Sequence, residues 1–513
     1  MIRNKWITSI AALMLAIPFS ACGDDDVKES ESGYTGSLTG VNNVETTGVK
    51  VDATSTTASF SVYSQVKPTV TTDQPWVSGE ASEPSKINGV SQISLKLQPN
   101  ETADERTATI TVTASTTRAE SSSISVKLTQ GAGKVEEPEP ETPDEPSEPE
   151  QPEGSLGIKA MDIARDIKVG WNIGNTLEAI GSETSWGNPK INKELISGIK
   201  AAGFNAVRLP CAWDQYIINK TTNEINPEWL TRVDEVVGMV LDQDMYAIVN
   251  IHWDGGWLEN NIGSAVRNDL LEKQKTLWTQ IAKQLGHYNE KLMFAGLNEP
   301  NADEKAGAET LLKYEQAFID AVRATGGLNS TRTLIFQGPH TDISQTYENF
   351  LVNPSDPAGE GYLMAEIHYY DPYQYTIMEK DESWGKVAWF WGEGFHVANS
   401  QRNSSWGEED WMKEQFDKMK KQFVDKGIPV IIGEYGAYPE EHYASQQTDE
   451  DKEIIRESRA YFYRCVQSYA KERGLIPFAW DTGELISRTD GSIRKQWMID
   501  AIMEGTASVE LPY

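Results

Sequence analysis

The stretch LMFAGLNEPN, residues 292–301, carries a short apolar run directly into an amide, a carboxylate and a proline. An apolar run of this length, bounded by turn-forming residues, is typical of a buried strand. Such a strand can end in any small residue, so Asn298 and Glu299 at its carboxyl end indicate side chains placed for chemistry. A glutamate in this position needs a partner from elsewhere in the chain if it is to act in catalysis.

Similar apolar runs recur on both sides of this stretch, with amphipathic helical segments between them. The predicted strands lie at 168–173, 206–210, 246–252, 292–298, 333–338, 363–369, 429–434 and 477–480. Eight strands, each followed by a helix, is the period of a (β/α)8 barrel, so residues 157–513 are predicted to form a TIM barrel. The alternative is a doubly wound open sheet, but the glycine-rich phosphate loop usual after its first strand is missing.

Polar residues end most of these strands. Carboxyl ends of barrel strands meet at one mouth, where active sites lie. We therefore expect these residues to converge: Asn172, Arg208, His252, Asn298, Glu299, His368, Tyr370, Glu434 and Trp480. Cleavage of a glycosidic bond requires two carboxyl groups, one to protonate the leaving oxygen and one to attack the sugar, and Glu299 and Glu434 are the candidates. Arg208 is expected to keep Glu434 ionised, and Asn298 to bind the 2-hydroxyl of the sugar.

The segments that precede the barrel have three different compositions. Residues 35–132 contain short alternating runs separated by turn formers, which predicts an all-β, immunoglobulin-like sandwich. Residues 133–156 interleave proline with Asp and Glu, which is typical of an extended linker. Residues 1–21 combine two early basic residues with a short apolar run, which predicts a secretory signal peptide. The chain is thus predicted to be multi-domain, with a tether at 22–34.

The sequence FSAC at the end of the signal peptide resembles a bacterial lipobox, which implies that Cys22 is lipidated. The following GDDD resembles the acidic export signal of surface lipoproteins in Bacteroidetes-type bacteria. The expected location is therefore the cell surface, as an outer-membrane lipoprotein. The lipid anchor would be its only contact with the membrane, because no other apolar stretch is long enough to span a bilayer. An ordinary secreted protein is the alternative.

The charge of the chain limits its partners. It has 77 Asp and Glu against 46 Lys and Arg, a formal net charge of −31. A nucleic-acid partner is excluded, because binding to phosphates needs a basic surface. The 16 tryptophans in a polar chain suggest aromatic surfaces on which flat ligands stack. Such a composition suits a neutral polysaccharide, and a monomer is expected.

Seven motifs in the barrel region together resemble glycoside hydrolase family 5. They are GWNIGNTLEA (170–179), FNAVRLP (204–210), NIHWDGGW (250–257), LNEP (297–300), EIHYY (366–370), IIGEYG (431–436) and FAW (478–480). The resemblance implies a retaining double displacement, with Glu299 as acid/base and Glu434 as nucleophile. It also implies that the attacked sugar is held by Arg208, His252, Asn298, His368, Tyr370 and Trp480.

Finer motifs resemble particular members of the family. Two motifs resemble those of a subfamily of endo-β-1,4-glucanases that includes xyloglucanases and mixed-linkage glucanases. They are NTLEA (175–179) and HWDGGWLENN (252–261). Trp253 stands where many relatives have a second histidine, and with Trp257 it is expected to contact substrate. The sandwich region, with DQPW (73–76), RTATITV (106–112) and VKLTQ (126–130), looks like a BACON domain. Trp76 is its only tryptophan, so a spacer is favoured over a carbohydrate-binding domain.

The chain is predicted to be a retaining endo-β-1,4-glucanase that acts on plant cell-wall polysaccharide. Xyloglucan and mixed-linkage glucan are the first candidate substrates. A β-mannanase or xylanase on the same scaffold is the alternative within the enzyme class. A non-catalytic glycan-binding surface protein is the alternative from another class, although the intact set of Arg208, Glu299 and Glu434 speaks against it. No cofactor and no metal are expected, since a zinc site would need three convergent His or Cys ligands.

Overall fold

Two regions of different architecture make up the computed structural model, which describes residues 41–42, 48–64, 66–84, 90–115, 121–133, 156–441 and 443–513. The chain separates into two units, Met1–Pro146 and Ser147–Tyr513. The signal peptide 1–21, Cys22, the tether 22–34 and nearly all of the linker 133–156 lie outside the described residues. The predicted domain bounds therefore stay predictions.

The N-terminal unit is a β domain built from two sheets. Its strands are β1 (Val41–Asn42), β2 (Val49–Val51), β3 (Thr57–Tyr63), β4 (Thr69–Thr72), β5 (Val77–Ala81), β6 (Val90–Leu97), β7 (Arg106–Ser115) and β8 (Ser121–Gln130). The sheet orders are β1-β3-β6-β5 and β2-β8-β7-β4. Strands in these sheets pair antiparallel, except that β2 pairs parallel with β8. The predicted all-β domain is confirmed.

Alternating residues of both sheets fill one core, as expected when each strand has one buried face. Phe60 of β3 and Leu95 of β6 meet Ile110 of β7 and Leu128 of β8 there. Trp76 is buried beside them, with the guanidinium of Arg106 4.3 Å from its ring centroid. Trp76 thus packs the core and is not an exposed binding platform.

The second unit is the predicted barrel. Its strands are β9 (Gly170–Ile173), β10 (Ala206–Leu209), β13 (Tyr246–Asn250), β14 (Leu292–Ala295), β15 (Leu334–Gln337), β16 (Leu363–Tyr369), β17 (Val430–Tyr435) and β18 (Leu475–Asp481), with a hairpin of β11 (Ile217–Asn219) and β12 (Glu224–Ile225) beside them. Its helices are α1 (Ala160–Asp166), α2 (Lys193–Ala201), α3 (Pro227–Leu241), α4 (Asn268–Leu285), α5 (Glu304–Arg323), α6 (Ile343–Asn349), α7 (Tyr373–Thr376), α8 (Glu409–Gln422), α9 (Asp449–Glu472) and α10 (Gln496–Ala507). The eight strands close in the order β9-β10-β13-β14-β15-β16-β17-β18 and back to β9. The open-sheet alternative is excluded.

The barrel has a packed interior whose layers come from different strands. Ile248 of β13, Met293 of β14 and Ile431 of β17 share one buried cluster with Ile163 and Ile167 at helix α1. Helix α1 therefore covers the amino-terminal end of the barrel, which leaves the carboxyl end for the site. Among the described residues, no helix is long and apolar enough to span a membrane.

The fourth predicted strand ends earlier than expected. β14 stops at Ala295, so Asn298 and Glu299 lie in the loop beyond it. The backbone N–H of Leu297 donates to Oε1 of Gln337 at 2.7 Å, where a ladder bond to a neighbouring carbonyl would otherwise form. The side chain of Gln337 thus takes the place of a backbone hydrogen-bond partner in the sheet, and Asn298 and Glu299 lie beyond the strand, at the barrel mouth.

Candidate active site

Arg208 organises the carboxyl mouth of the barrel. Its side chain is fully buried. Its Nη1 donates to Glu434 Oε1 at 2.8 Å and to Asn172 Oδ1 at 3.1 Å, and its Nη2 donates to Asn298 Oδ1 at 2.8 Å. Its Nε lies 2.9 Å from Oε1 of Glu366. Four residues that the sequence placed at strand ends, namely Asn172, Arg208, Asn298 and Glu434, are thereby joined.

The two predicted catalytic carboxylates face each other. A carboxylate oxygen of Glu299 and one of Glu434 lie within 4.8 Å of each other. The Glu434 side chain is 7% exposed, whereas that of Glu299 is 42% exposed. This spacing fits the retaining arrangement, in which the carboxyl groups are about 5–5.5 Å apart, and is too short for the inverting arrangement at about 6.5–9.5 Å.

His368 stands between these carboxylates as a cation. Its Nδ1 lies 2.8 Å from Glu299 Oε1 and 3.8 Å from Glu434 Oε2, and its Nε2 lies 3.3 Å from Glu366 Oε1. Burial by itself lowers the pKa of His368, but Glu434, Glu299 and Glu366 outweigh it and raise the pKa to about 10. The imidazolium therefore donates from both nitrogens at neutral pH.

Opposing influences act on the Glu434 carboxylate. Burial raises its pKa above the ordinary value, while the positive charges of His368 and Arg208 counteract that rise. The hydroxyl of Tyr370 donates to Glu434 Oε2 at 3.0 Å, which also favours the ionised form. The expected role of Arg208 as a charge partner of Glu434 thus agrees with the geometry, and it is shared with His368 and Tyr370.

Glu366 is a central residue that the sequence analysis passed over. It is fully buried, and Gln337 Nε2 donates to its Oε2 at 2.6 Å. Its contacts with Arg208 and His368 hold its pKa below the ordinary value despite burial. A Cβ on Gly433 would lie 1.9 Å from Glu366 Oε1, so only glycine fits before Glu434. Glu366 and Tyr370 lie two residues before and two residues after His368. Every second side chain of a strand lies on the same face, so this spacing could have revealed Glu366 from the sequence.

Glu259 is a second functional residue that was missed, in the segment LENN after Trp257. The backbone N–H of Glu299 donates to its Oε2 at 2.9 Å, and Asn298 Nδ2 lies 3.4 Å from the same oxygen. Burial, followed by the charge of Glu299, raises the pKa of Glu259 to about 8. Glu259 therefore fixes the backbone that carries the proposed acid/base, and its carboxyl group is mostly protonated at neutral pH.

His252 and Trp480 form an aromatic pair at the mouth. Their rings are nearly parallel, 8° apart, with centroids separated by 5.9 Å. Burial lowers the pKa of His252 well below its ordinary value, and the positive charges of Arg208 and His368 lower it further. His252 is consequently a neutral ring, and both rings are partly exposed. The two flat faces suit contact with a sugar ring.

The remaining tryptophans of the barrel loops divide into packing and exposed residues. Trp213, Trp389 and Trp391 are buried, whereas Trp186, Trp253, Trp384 and Trp406 are between 38% and 48% exposed. Trp257 is partly buried, donates to Asp254 Oδ2 at 2.8 Å and carries the ammonium of Lys273 4.0 Å from its ring centroid. Contact of Trp253 and Trp257 with substrate stays a prediction.

Glu299, His368 and Glu434 place three potential metal-ligand atoms within 4.8 Å of one another. Metal ligands must be deprotonated, however, and His368 carries protons on both nitrogens at neutral pH. We therefore expect dialysis of the purified protein against EDTA to leave the predicted hydrolysis of polysaccharide unchanged, as measured by reducing-end release. A loss that returned on addition of one divalent cation would contradict the expectation of no metal.

The protonation of His368 predicts how stability depends on pH. Its folded pKa, about 10, lies above the ordinary value of 6.5. The stability it contributes is therefore fully present below about pH 6.5 and is lost as the pH rises through about 10. We expect His368→Asn to lower the unfolding temperature most at about pH 6, and the difference from the unsubstituted enzyme to shrink toward pH 10.

Thermal unfolding, followed by circular dichroism from about pH 6 to about pH 10, would test this pH dependence of stability, with His287→Asn as the matched control. His287 is an exposed histidine whose Nε2 lies 3.8 Å from Asp234. A difference between the unsubstituted enzyme and His368→Asn that stayed constant from about pH 6 to about pH 10 would show that the histidine is not held as a cation.

A carboxylate pair at this spacing carries out glycoside hydrolysis in two steps. One carboxylate of such a pair attacks the anomeric carbon, while the other carboxyl group donates its proton to the leaving oxygen. The second group then takes a proton from the water that breaks the glycosyl–enzyme bond. The assignment of Glu434 as the nucleophile and of Glu299 as the acid/base stays a prediction. The imidazolium of His368, the guanidinium of Arg208 and the hydroxyl of Tyr370 orient the carboxylates without bonding covalently to the sugar. The fold and site together define a retaining glycoside hydrolase.

The chain belongs to glycosyl hydrolase family 5. The model of this family, described as cellulase, matches residues 172–484. The chain is 34% identical to the xyloglucan-specific endo-β-1,4-glucanase BoGH5A of Bacteroides ovatus in an alignment of 437 residues that covers 81% of this chain and 82% of that protein. It is 33% identical to endoglucanase A of Paenibacillus barcinonensis, covering 68% of this chain and 90% of that enzyme.

Solved structures lead to the same family. The Bacteroides ovatus GH5 xyloglucanase in complex with a XXXG heptasaccharide superposes with a TM-score of 0.64 at 31% identity, covering 90% of this chain and 98% of that one. A GH5-4 broad specificity endoglucanase from Bacteroides salanitronis superposes with a TM-score of 0.61 at 32% identity, covering 71% and 99%. The predicted family and the enzyme class are confirmed.

Proposed function

We propose that the enzyme cleaves the β-1,4-glucan backbone of plant cell-wall polysaccharide internally, with xyloglucan as its first substrate and mixed-linkage glucan next. The observation that carries the proposal is the pair Glu299 and Glu434, whose oxygens lie within 4.8 Å of each other and share the cation His368. This pair accounts for the reaction. The choice of backbone rests on the relatives and on the aromatic residues around the mouth.

Two observations support a branched glucan. The Bacteroides ovatus relative, 82% of whose length is covered, is named a xyloglucan-specific enzyme. The superposed structure of a Bacteroides ovatus GH5 xyloglucanase contains a XXXG heptasaccharide. Relatives described as broad specificity endoglucanases support acceptance of unbranched glucans as well. The exposed Trp186 and Trp253 would add sugar-stacking faces beyond the subsite of the attacked sugar.

Hydrolysis of a substrate panel tests the proposal. The purified enzyme would be incubated with xyloglucan, mixed-linkage glucan, carboxymethylcellulose, mannan and xylan, with Glu434→Ala as the control. Reducing ends and viscosity would be followed together. We expect the fastest release on xyloglucan, with a fall in viscosity that precedes most of the reducing-end release, because internal cuts shorten long chains first. Release on mannan or xylan alone would keep the mechanism and overturn the substrate.

Binding without hydrolysis by the unsubstituted enzyme would instead favour the glycan-binding alternative. That outcome requires affinity for one of the polysaccharides, measured by retardation in a gel containing it, with no reducing ends above the Glu434→Ala background. The buried contacts of Glu434 with Arg208 and Tyr370 argue against this alternative, because a barrel retained only for binding has no need of a charged nucleophile in a dry pocket.

We also propose that the enzyme is a monomeric outer-membrane lipoprotein at the cell surface, anchored through Cys22. The supporting sequence is the lipobox-like FSAC followed by GDDD. The sandwich would be a BACON-like spacer that holds the barrel away from the membrane, since its tryptophan, Trp76, is buried in its core. Expression of the chain and of Cys22→Ser in a bacterial host tests the anchor. Recovery of both proteins in the soluble fraction would refute it.

A further inference from the structure

A buried cation joins the two loops that follow Glu434 and Trp480. Glu434 lies in β17, and the loop after it contains Glu440, whereas Trp480 lies in β18, and the loop after it contains Glu484. Arg459 of α9 is fully buried. Its Nη1 lies 2.9 Å from Glu440 Oε1, and its Nη1 and Nη2 donate to Glu484 Oε1 and Oε2 at 2.6 and 2.8 Å. Such a two-bond contact fixes the orientation of both groups, so Arg459 ties the two loops together.

Lys495 adds a second positive charge to the same junction. Its ammonium forms ion pairs with both Glu440 and Glu484. Two carboxylates are thus matched by two cations, which offsets the cost of burying these charges. The side chain of Lys495 is 23% exposed and that of Arg459 is 0% exposed. Solvent and salt screen a buried pair less than an exposed one, so the contacts of Arg459 are the firmer of the two sets.

Two contacts connect Arg459 with the backbone of Trp480. In the loop after β18, Asp481 Oδ1 accepts from the backbone N–H groups of Glu484 and of the next residue, at 2.8 and 3.0 Å, which closes a tight turn directly after Trp480. In the loop after β17, the hydroxyl of Tyr438 donates to the carbonyl oxygen of Trp480 at 3.3 Å. The guanidinium of Arg459 lies 5.3 Å from the centroid of the Tyr438 ring. Arg459 therefore supports Trp480 from both loops.

The ring of Trp480 needs this support because it is partly exposed at the barrel mouth. Its plane is nearly parallel to that of His252, with the centroids 5.9 Å apart. A Cβ on Gly174 would lie 2.7 Å from Trp480 Cζ2, so the edge of the indole lies against the backbone of Gly174. A flat ring places a bound sugar correctly only while its own backbone is fixed. A misplacement of about 1 Å can cost about 100-fold in rate.

We propose that Arg459 is a positioning residue, which fixes the ring of Trp480 relative to the carboxylate of Glu434 by tying together the loops after β17 and β18. The inference rests on the proposed function, because it requires Trp480 to contact the sugar that is attacked. Arg459 acts through Trp480 and is not a catalytic residue, since its side chain is fully buried beneath these loops.

Kinetics of Arg459→Met on β-1,4-glucan tests the proposal. We expect kcat/KM to fall about 100-fold, because methionine fills part of the space but forms no ion pair with either loop. Arg464→Met is the matched control. Arg464 lies on the same helix, but its side chain is 42% exposed and pairs with Glu504 at 2.7 Å. This control should leave kcat/KM unchanged.

A second variant separates positioning from loss of stability. Arg459→Met leaves the carboxylate of Glu484 without its buried partner, which destabilises the fold, whereas Arg459→Met combined with Glu484→Gln removes both charges. We expect the combined variant to regain most of the unfolding temperature, measured by circular dichroism, while kcat/KM stays low because the loops are still not joined. Recovery of kcat/KM together with the unfolding temperature would show that the ion pair contributes stability alone.

A double-mutant cycle with Trp480→Ala tests whether Arg459 acts through Trp480. An aryl cello-oligosaccharide with a coloured leaving group makes low rates measurable. In the Trp480→Ala background, Arg459→Met with Glu484→Gln should lower kcat/KM by no more than about twofold further, the limit set by non-interacting sites. The same large loss in both backgrounds overturns the proposal. If the unsubstituted enzyme cleaves glucan and the combined variant cleaves it equally well, the positioning role fails and the proposed function stands. If no glucan is cleaved, both fail.

Discussion

Replacing Glu434 by glutamine is expected to lower kcat on β-1,4-glucan by at least about 10⁴-fold while the protein stays folded. An amide has nearly the shape of the carboxylate: its oxygen can still accept from Arg208, and its NH2 group can donate to the hydroxyl of Tyr370. It cannot, however, form the covalent bond to the anomeric carbon. Reducing-end release measures the loss, and an unchanged far-UV circular dichroism spectrum shows that the fold is kept.

The assignment of the two glutamates is tested by azide, which attacks an anomeric carbon without help from a general base. With an aryl glycoside whose leaving group needs no protonation, Glu299→Ala should still form the glycosyl–enzyme, and azide should release it as the β-glycosyl azide. In Glu434→Ala, azide should enter the vacated space and give the α-anomer, because only one displacement occurs. The same anomer from both variants would contradict the assignment.

Fold and reaction type were both readable from the sequence because they rest on repeated local patterns. The eight apolar runs correspond to the eight barrel strands, and the alternation in TASFSVY and TATITVT corresponds to β3 and β7. Buried strands of a parallel barrel have to be continuously apolar, so their polar ends are conspicuous. Glu299, Glu434 and Arg208 were found for that reason, and the structure brings them together.

The residues that support the site were harder to find, since their partners are distant in sequence. Glu259 lies 40 positions before Glu299 and is brought to it only by the loop after β13. Glu366 has its partner Arg208 on a different strand, and the register of β16 shifts against β17 between Ile367 and His368. Such irregularities re-aim side chains next to active sites, and strand periodicity alone does not predict them.

Glu366→Gln is expected to have the second largest effect, on the pH dependence of catalysis. The substitution removes one of the three negative charges that hold His368 protonated, so the pKa of His368 should fall from about 10. The alkaline limb of kcat/KM should then move to lower pH. At neutral pH we expect a loss of about 10–100-fold, the size found when residues that orient the ligands of a metal site are replaced.

The groups that face His368 decide how specific this prediction is. Glu299 comes from the loop after β14, Glu434 from β17, Arg208 from β10 and the neutral His252 from the loop after β13. None of these residues is substituted in Glu366→Gln, and the ion pair that Arg208 loses is the one with Glu366 itself. A shift of the alkaline limb therefore reports on the lost carboxylate. The effect of Glu366 on Glu434 passes through Arg208 and His368, which makes Glu366 a positioning residue.

A neighbouring glutamate provides the matched control. Glu315 on α5 is as buried as Glu366 and accepts from the backbone N–H of Gln337 at 3.1 Å. Burial raises its pKa well above the ordinary value, which favours the neutral form. Glu315→Gln should therefore leave the pH profile unchanged, even if it lowers the unfolding temperature. If the two variants shift the alkaline limb equally, the effect comes from disturbed packing around Gln337, and Glu366 does not keep His368 charged.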